Sequence, residues 1–208
     1  MANLIIKSSA DNLVLQGSDA SPAITVGTDG TTTFAEAATM SGNVTMSGTA
    51  NNLGTTTAGT LSSGVTFPSG HVLKVVYAQD VTTQALASST YTDTGLSASL
   101  TPSSATNKVL VTWTMQADLA TADRGFGVKL LRDDGGGYDS LYESATKFDL
   151  YAAGSSGGRV GGSWAFLDTP AVTVATTYKI QVGNYNANAM TYNNVNQMTY
   201  ITLMEVVA

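Results

Sequence analysis

From residue 72 onward the chain alternates apolar and polar residues over long runs. In the run 108–116, Val109, Val111, Trp113 and Met115 share one face, while Thr112, Thr114 and Gln116 take the other. Tyr178, Ile180 and Val182 alternate in the same way with Thr177, Lys179 and Gln181. A period of two is the mark of a strand with one face in a core and one in water. It predicts strands at Val72–Tyr77, Lys108–Met115, Phe126–Arg132, Trp164–Leu167, Tyr178–Val182 and Tyr200–Val206. Shorter ones are expected at Tyr91–Asp93, Leu96–Leu100 and Tyr138–Glu143. Strands of this number and spacing, with no sustained helical period, predict an all-β fold whose head is an antiparallel β-sandwich of jelly-roll-like form.

The first third follows a different pattern. Short β-like units, Asn12–Leu15, Ala23–Val26, Thr32–Phe34, Thr39–Met40 and Val44–Met46, are separated by turns such as Gly17-Ser18-Asp19 and Gly27-Thr28-Asp29-Gly30. Thr-Met-Ser-Gly occurs at Thr39–Gly42 and again at Thr45–Gly48. These units hold too few apolar residues to bury against one another, and identical chains can supply the missing neighbours. The expectation is a short intertwined stalk of threefold symmetry, with Met40, Val44 and Met46 facing the shared axis. For residues 47–63 a flexible Gly/Ser linker competes with this reading. The organisation expected is an anchoring and stalk segment at 1–64 and a head at 65–208.

Composition narrows the function. Of 208 residues only 12% are charged, 21 are glycine, and the net charge is -6. Nine basic residues are scattered, without the clustering that a phosphate backbone requires, so nucleic acid is not an expected partner. Cysteine is absent, which excludes disulfides and thiolate metal sites. Leu4–Ile6 is an apolar run of three with no basic leader, unlike a signal peptide. No stretch reaches the length needed for a membrane-spanning helix, so no membrane insertion is expected.

Candidate chemistry is sparse. His71 is the single histidine and opens a strand after the Pro68-Ser69-Gly70 turn, without a nucleophile-elbow sequence. Asp133, Asp134 and Asp139 lie on a glycine-rich loop that resembles a calcium loop in composition but not in ligand spacing, and a hairpin turn is the expected structure. The run Gly154–Gly162 lacks the Lys-Ser/Thr ending of a phosphate loop and reads as a connection before the Trp164 strand. Asp118, Asp123, Asp149 and Asp168 are possible members of a glycoside-cleaving pair, with nothing to set their separation. No enzyme, metal or cofactor is expected. The most unusual segment is the Asn/Tyr-rich stretch 184–196, where Tyr185, Asn186, Asn188, Tyr192 and Asn193 combine contact area with adaptable hydrogen bonding. It reads either as a recognition loop or as a long hairpin with Asn in left-handed turn positions.

The runs GVTFPSGHVLKVV (Gly64–Val76), YTDTGLSASLTPSSATNKVLVTW (Tyr91–Trp113) and ITLMEVVA (Ile201–Ala208) resemble the C-terminal β-domains of structural and tail-fibre-like proteins of tailed bacteriophages, especially marine ones. NLVLQGSDASPAITVGTDGTTTFA (Asn12–Ala35) is similar to the repetitive shafts that lead into such domains. The resemblance implies a homotrimeric component exposed on the virion, with no active site to carry across. Its partners would be copies of itself and the major capsid protein or another virion protein. Leu4, Ile5 and Ile6 are placed to dock by adding a strand to a neighbour's sheet edge. Three roles follow: a capsid decoration, cement or head-fibre protein; a tail fibre or its tip; or a lectin-like module binding a host-surface glycan. A shaft of about 50 residues extends to about 170 Å at most and far less when folded, which favours decoration over reaching a receptor.

Overall fold

The computed structural model describes residues 13–16, 22–26, 31–34, 67–119, 123–153, 158–194 and 199–208. The chain divides into two compact units, Met1–Thr60 and Leu61–Ala208. Leu4, Ile5, Ile6, Met40, Val44 and Met46, named above for anchoring and for the stalk axis, lie outside the described residues.

In the first unit β1 (Leu13–Gln16), β2 (Pro22–Val26) and β3 (Thr32–Phe34) form an antiparallel sheet in that order. Ile24 is the Cα partner of both Leu15 and Phe34. Ile24 is only half-buried and Phe34 remains 43% exposed, so these two paired side chains stay partly in water.

The second unit contains β4 (Val72–Asp80), β5 (Gln84–Leu86), β6 (Thr92–Leu100), β7 (Lys108–Leu119), β8 (Arg124–Asp133), β9 (Tyr138–Glu143), β10 (Leu150–Ala152), β11 (Gly158–Asp168), β12 (Thr176–Asn184), β13 (Met190–Tyr192) and β14 (Thr199–Val206). One sheet runs β4–β14–β7–β11, with β5 and β13 continuing β4 and β14 along the same line: β13 pairs both β5 and the far end of β7. The other runs β6–β12–β8, and the far edge of β8 is shared by β9 and β10. All pairings are antiparallel, and this part of the chain passes back and forth between the two sheets, so that β14 lies beside β4. Four strand positions in each sheet, connected in this order, make a jelly roll.

The core is the product of the alternation. Burial in β7 alternates through the whole strand, so Ala117 and Leu119 join Val109, Val111, Trp113 and Met115. They meet Leu96, Ala98 and Leu100 of β6, Phe126, Val128 and Leu130 of β8, and Tyr178, Ile180 and Val182 of β12. Each large side chain so buried is worth about 1.5–3 kcal/mol. Trp113 and Trp164 are register partners and stack at 6.0 Å between centroids and 11° between planes.

Three features differ from the sequence expectation. Gly158–Gly162 is not a connection: it is the first half of β11, paired with Leu119–Met115. A complete neighbouring strand supplies the ladder, and glycine is needed there because a Cβ on Gly162 would lie 2.7 Å from the Trp164 ring. The two expected segments at 91–93 and 96–100 are one strand, β6, joined across Gly95 at φ +81° with a register shift opposite β12. The three-residue strands β5, β10 and β13 were not anticipated, being too short to show a period.

Candidate functional site

At one end of the sandwich three segments converge: the residues before β8, the β9–β10 connection and the turn after β12. The turn is a single 3₁₀ turn, Tyr185–Ala187, in which Asn186 and Ala187 have φ of 53° and 54°. Asn tolerates this left-handed region because its short polar side chain bonds locally. Asn184, fully buried at the end of β12, holds the turn in place. Its Nδ2 donates to the carbonyls of Leu86 and Asn188, each at 2.7 Å, its backbone N–H donates to Ser88 O at 2.8 Å, and its Oδ1 accepts from the Tyr192 hydroxyl at 2.6 Å.

The β9–β10 connection is held as firmly. Asp149 accepts from the Val128 N–H at 2.8 Å and from the Tyr142 hydroxyl at 3.1 Å. Tyr91 donates to Ser144 O at 2.5 Å, and Gly127 lets Ser144 and Lys147 lie directly on β8. Phe148 is thereby fixed between Lys147, at φ 58°, and the anchored Asp149.

The result is a trio of aromatic rings facing outward. Phe148 packs edge-on against Tyr151 at 4.9 Å and lies tilted by 42° against Tyr185 at 4.4 Å, and Tyr151 meets Tyr185 edge-on at 5.8 Å. Phe148 is 44% and Tyr151 40% exposed. The Tyr151 hydroxyl donates to the Asp123 carboxylate, while Asn188 Nδ2 donates to the Asp123 carbonyl at 3.1 Å and Arg124 donates to Ala189 O. The bond to Asp123 raises the pKa of Tyr151; burial, then the charges of Glu143 and Asp149, push Tyr91 up to about 12. Burial, then Asp149, raises Tyr142 as well. These phenols are therefore hydrogen-bond donors at neutral pH, and the surface offers aromatic faces bordered by amide and carboxylate groups.

Of the five residues proposed for recognition, the structure brings Tyr185, Asn186 and Asn188 to this surface and separates the other two. Tyr192 and Asn193 are buried at 2% and 3% exposure, so no ligand reaches them. Tyr192 packs edge-on against Phe126 at 5.3 Å, and Asn193 Nδ2 donates to Thr82 O at 3.3 Å. β13 carries both the alternation and the chain back into the core, which a run of Asn and Tyr does not announce. Phe148, Tyr151 and Asp123 were not singled out as recognition residues; the signal was Phe148-Asp149-Leu150-Tyr151, two aromatics three positions apart beside a glycine-rich segment.

The remaining candidates are placed as follows. His71 is exposed and stacks on Phe67 at 4.3 Å. The 133–139 segment is the β8–β9 hairpin: Gly135 and Gly137 have φ above 100°, Asp133 Oδ1 accepts their N–H groups at 2.9 and 3.1 Å, and Asp134 pairs with Arg132 at 3.3 Å. Asp168 accepts from Arg132 at 3.1 Å and from the Tyr178 hydroxyl at 2.8 Å, and Asp118 bonds Asn194 at 2.9 Å. Asp118, Asp123, Asp149 and Asp168 thus belong to four separate sets of contacts. Among the described residues no three His, Cys, Asp or Glu side chains gather as metal ligands.

Fold and site together define an all-β jelly-roll protein with a cluster of aromatic rings on the surface at one end. No protein-family model matches the chain, and no curated protein matches it. Among solved structures, a chain described as "Structure of infectious bursal disease virus Gx strain" is 9% identical, with a TM-score of 0.39 over 73% of this chain and 42% of that chain. The match spans less than half of that chain's length.

Proposed function

We propose that this protein is a non-enzymatic structural component of a bacteriophage virion surface, displayed as a homotrimer, with the jelly-roll head outward. The observation that carries the reading is the outward-facing trio of Phe148 and Tyr151, both exposed, and the half-buried Tyr185. Aromatic rings held rigidly in the open supply contact area at low entropic cost. The exposure of Phe34 in the first unit supports assembly through that unit, since copies would cover it.

Decoration or head-fibre placement is preferred over a tail fibre. Quantifying this chain against the major capsid protein in purified particles decides: hundreds of copies establish decoration, a few tens or fewer a tail position, and none overturns the virion reading. A lectin-like module is the second reading, favoured by the same trio, because aromatic faces with neighbouring amides suit a host-surface glycan. Specific glycan-array binding by the full-length protein, lost in Phe148→Ala, would establish it.

A further inference from the structure

The outer faces of the two sheets are unlike. On the β6–β12–β8 side, Lys179 pairs with Asp93 at 3.0 Å, Lys129 pairs with Glu143 at 2.7 Å, and Ser97 and Ser99 are exposed along β6, as expected of a face in water. The β4–β14–β7–β11 side shows the reverse. Register places Val75, Met204, Leu110 and Leu167 side by side, one from each strand, as a continuous apolar row across the sheet. The next row is Tyr77, Thr202, Thr112 and Ala165, the one after is Gln79, Tyr200, Thr114 and Ser163, and Val72, Val206 and Lys108 flank the other side. Val75 is 58% exposed, and Tyr77 and Leu167 are each 53% exposed. Charge appears on this face only at its ends among the described residues: Lys108 at one, and the Asp118–Arg159 pair at 3.7 Å at the other.

We propose that this face is a contact surface for a second copy of the same chain. Three observations select a copy over another partner. A chain of net charge -6 repels its copies, and a face without charge in its centre is where two can meet without mismatch. Size is sufficient: at about 4.8 Å between strands and about 6.8 Å between same-face residues, the rows cover about 500 Å² per copy and about 1,000 Å² per pair, the lower bound for a specific interface. The face is also complementary to itself. A half-turn about an axis parallel to the strands lays β4 of one copy over β11 of the other, so the projecting Tyr77 comes over the small Ala165 and Val75 over Leu167. Beside Ala165 the face is hollowed between β7 and β11, where Gly161, Gly162, Ser163, Thr114 and Tyr200 line a depression of about 330 Å³. An apolar centre with a polar surround is the anatomy of an interface.

This contact is twofold and joins heads. It is independent of the virion reading and of the threefold assembly expected from the first third, and at least doubles the number of chains that third gathers. The test is sedimentation of the full-length protein at high concentration, with Val75→Lys, Leu167→Lys and, on the opposite outer face, Ser97→Lys. All three positions are exposed, and circular dichroism with thermal melting checks that each variant folds as the wild type does. The expected result is a wild-type and Ser97→Lys mass at least twice that of both apolar-face variants, because a lysine there must enter an apolar contact unpaired. Folded apolar-face variants that keep the wild-type mass would overturn the proposal, as would a wild-type mass that never doubles with concentration.

Discussion

The Tyr192 hydroxyl donates to Asn184 Oδ1 at 2.6 Å, eight residues back along the chain, and both side chains are buried. The bond closes the loop that carries Tyr185 and makes Tyr192 part of the scaffold. Tyr192→Phe leaves the Asn184 acceptor unpaired and is expected to cost about 1–3 kcal/mol. Tyr192→Ala also removes a core ring and should cost about 3–5 kcal/mol. Denaturant unfolding checks both, and the order of the two losses is the prediction.

Phe148→Ala and Tyr185→Ala act on the other side of that loop. They are expected to weaken attachment to the surface partner at least tenfold while moving the melting temperature by no more than about 2 °C, since partly exposed rings contribute little to the core. Binding to purified particles or to the recognised glycan, measured beside thermal melting, separates this outcome from general unfolding.

Gly127 couples the core to the same surface. An added Cβ would lie 2.7 Å from Ser144 Cβ and 2.8 Å from Lys147 Cα, and the second of these is backbone. Gly127→Ala must therefore push the β9–β10 connection off β8, at an expected cost of about 1–3 kcal/mol. Proteolytic cleavage near 144–149 should rise in the variant and stay low in wild type.

Acid stability depends on Glu205. Its side chain is buried, which by itself would raise the pKa, but Oε1 accepts from Ser103 N and Ser103 Oγ, each at 2.6 Å, and from Asn107 Nδ2 at 2.8 Å. Lys74 stands 3.9 Å from Oε2, and the net effect holds the carboxyl below its ordinary value. A carboxylate depressed in the folded state stabilises at pH above its unfolded value of about 4.3 and loses that contribution as pH falls through the folded value. Glu205→Gln is expected to cost about 2 kcal/mol at pH 7, and the difference from wild type should shrink as pH falls from the unfolded value through the folded one. Urea unfolding across that range measures it.

The sandwich was legible because burial on one face imposes a period of two, and β7 shows it without interruption. Strand ends were less so. Gly158–Gly162 carries no apolar signal, and becomes a strand because β7 is there to pair with it. β13 was hidden for the same reason: its three residues join the sheet through β5 and β7, which are remote in sequence. For the site, an Asn/Tyr-rich stretch marked the right segment but not which tyrosine faces water.

By itself the order of residues determined the all-β class, the nature of the core and the absence of thiol chemistry, because each depends on local alternation or on composition alone. Tertiary structure decided what depends on pairing between distant strands. Register set Val75, Met204, Leu110 and Leu167 in one row although they come from four separate parts of the chain. Loop convergence likewise brought Phe148 to Tyr185 and sent Tyr192 inward, since a ring faces solvent or core according to which strand its neighbours find.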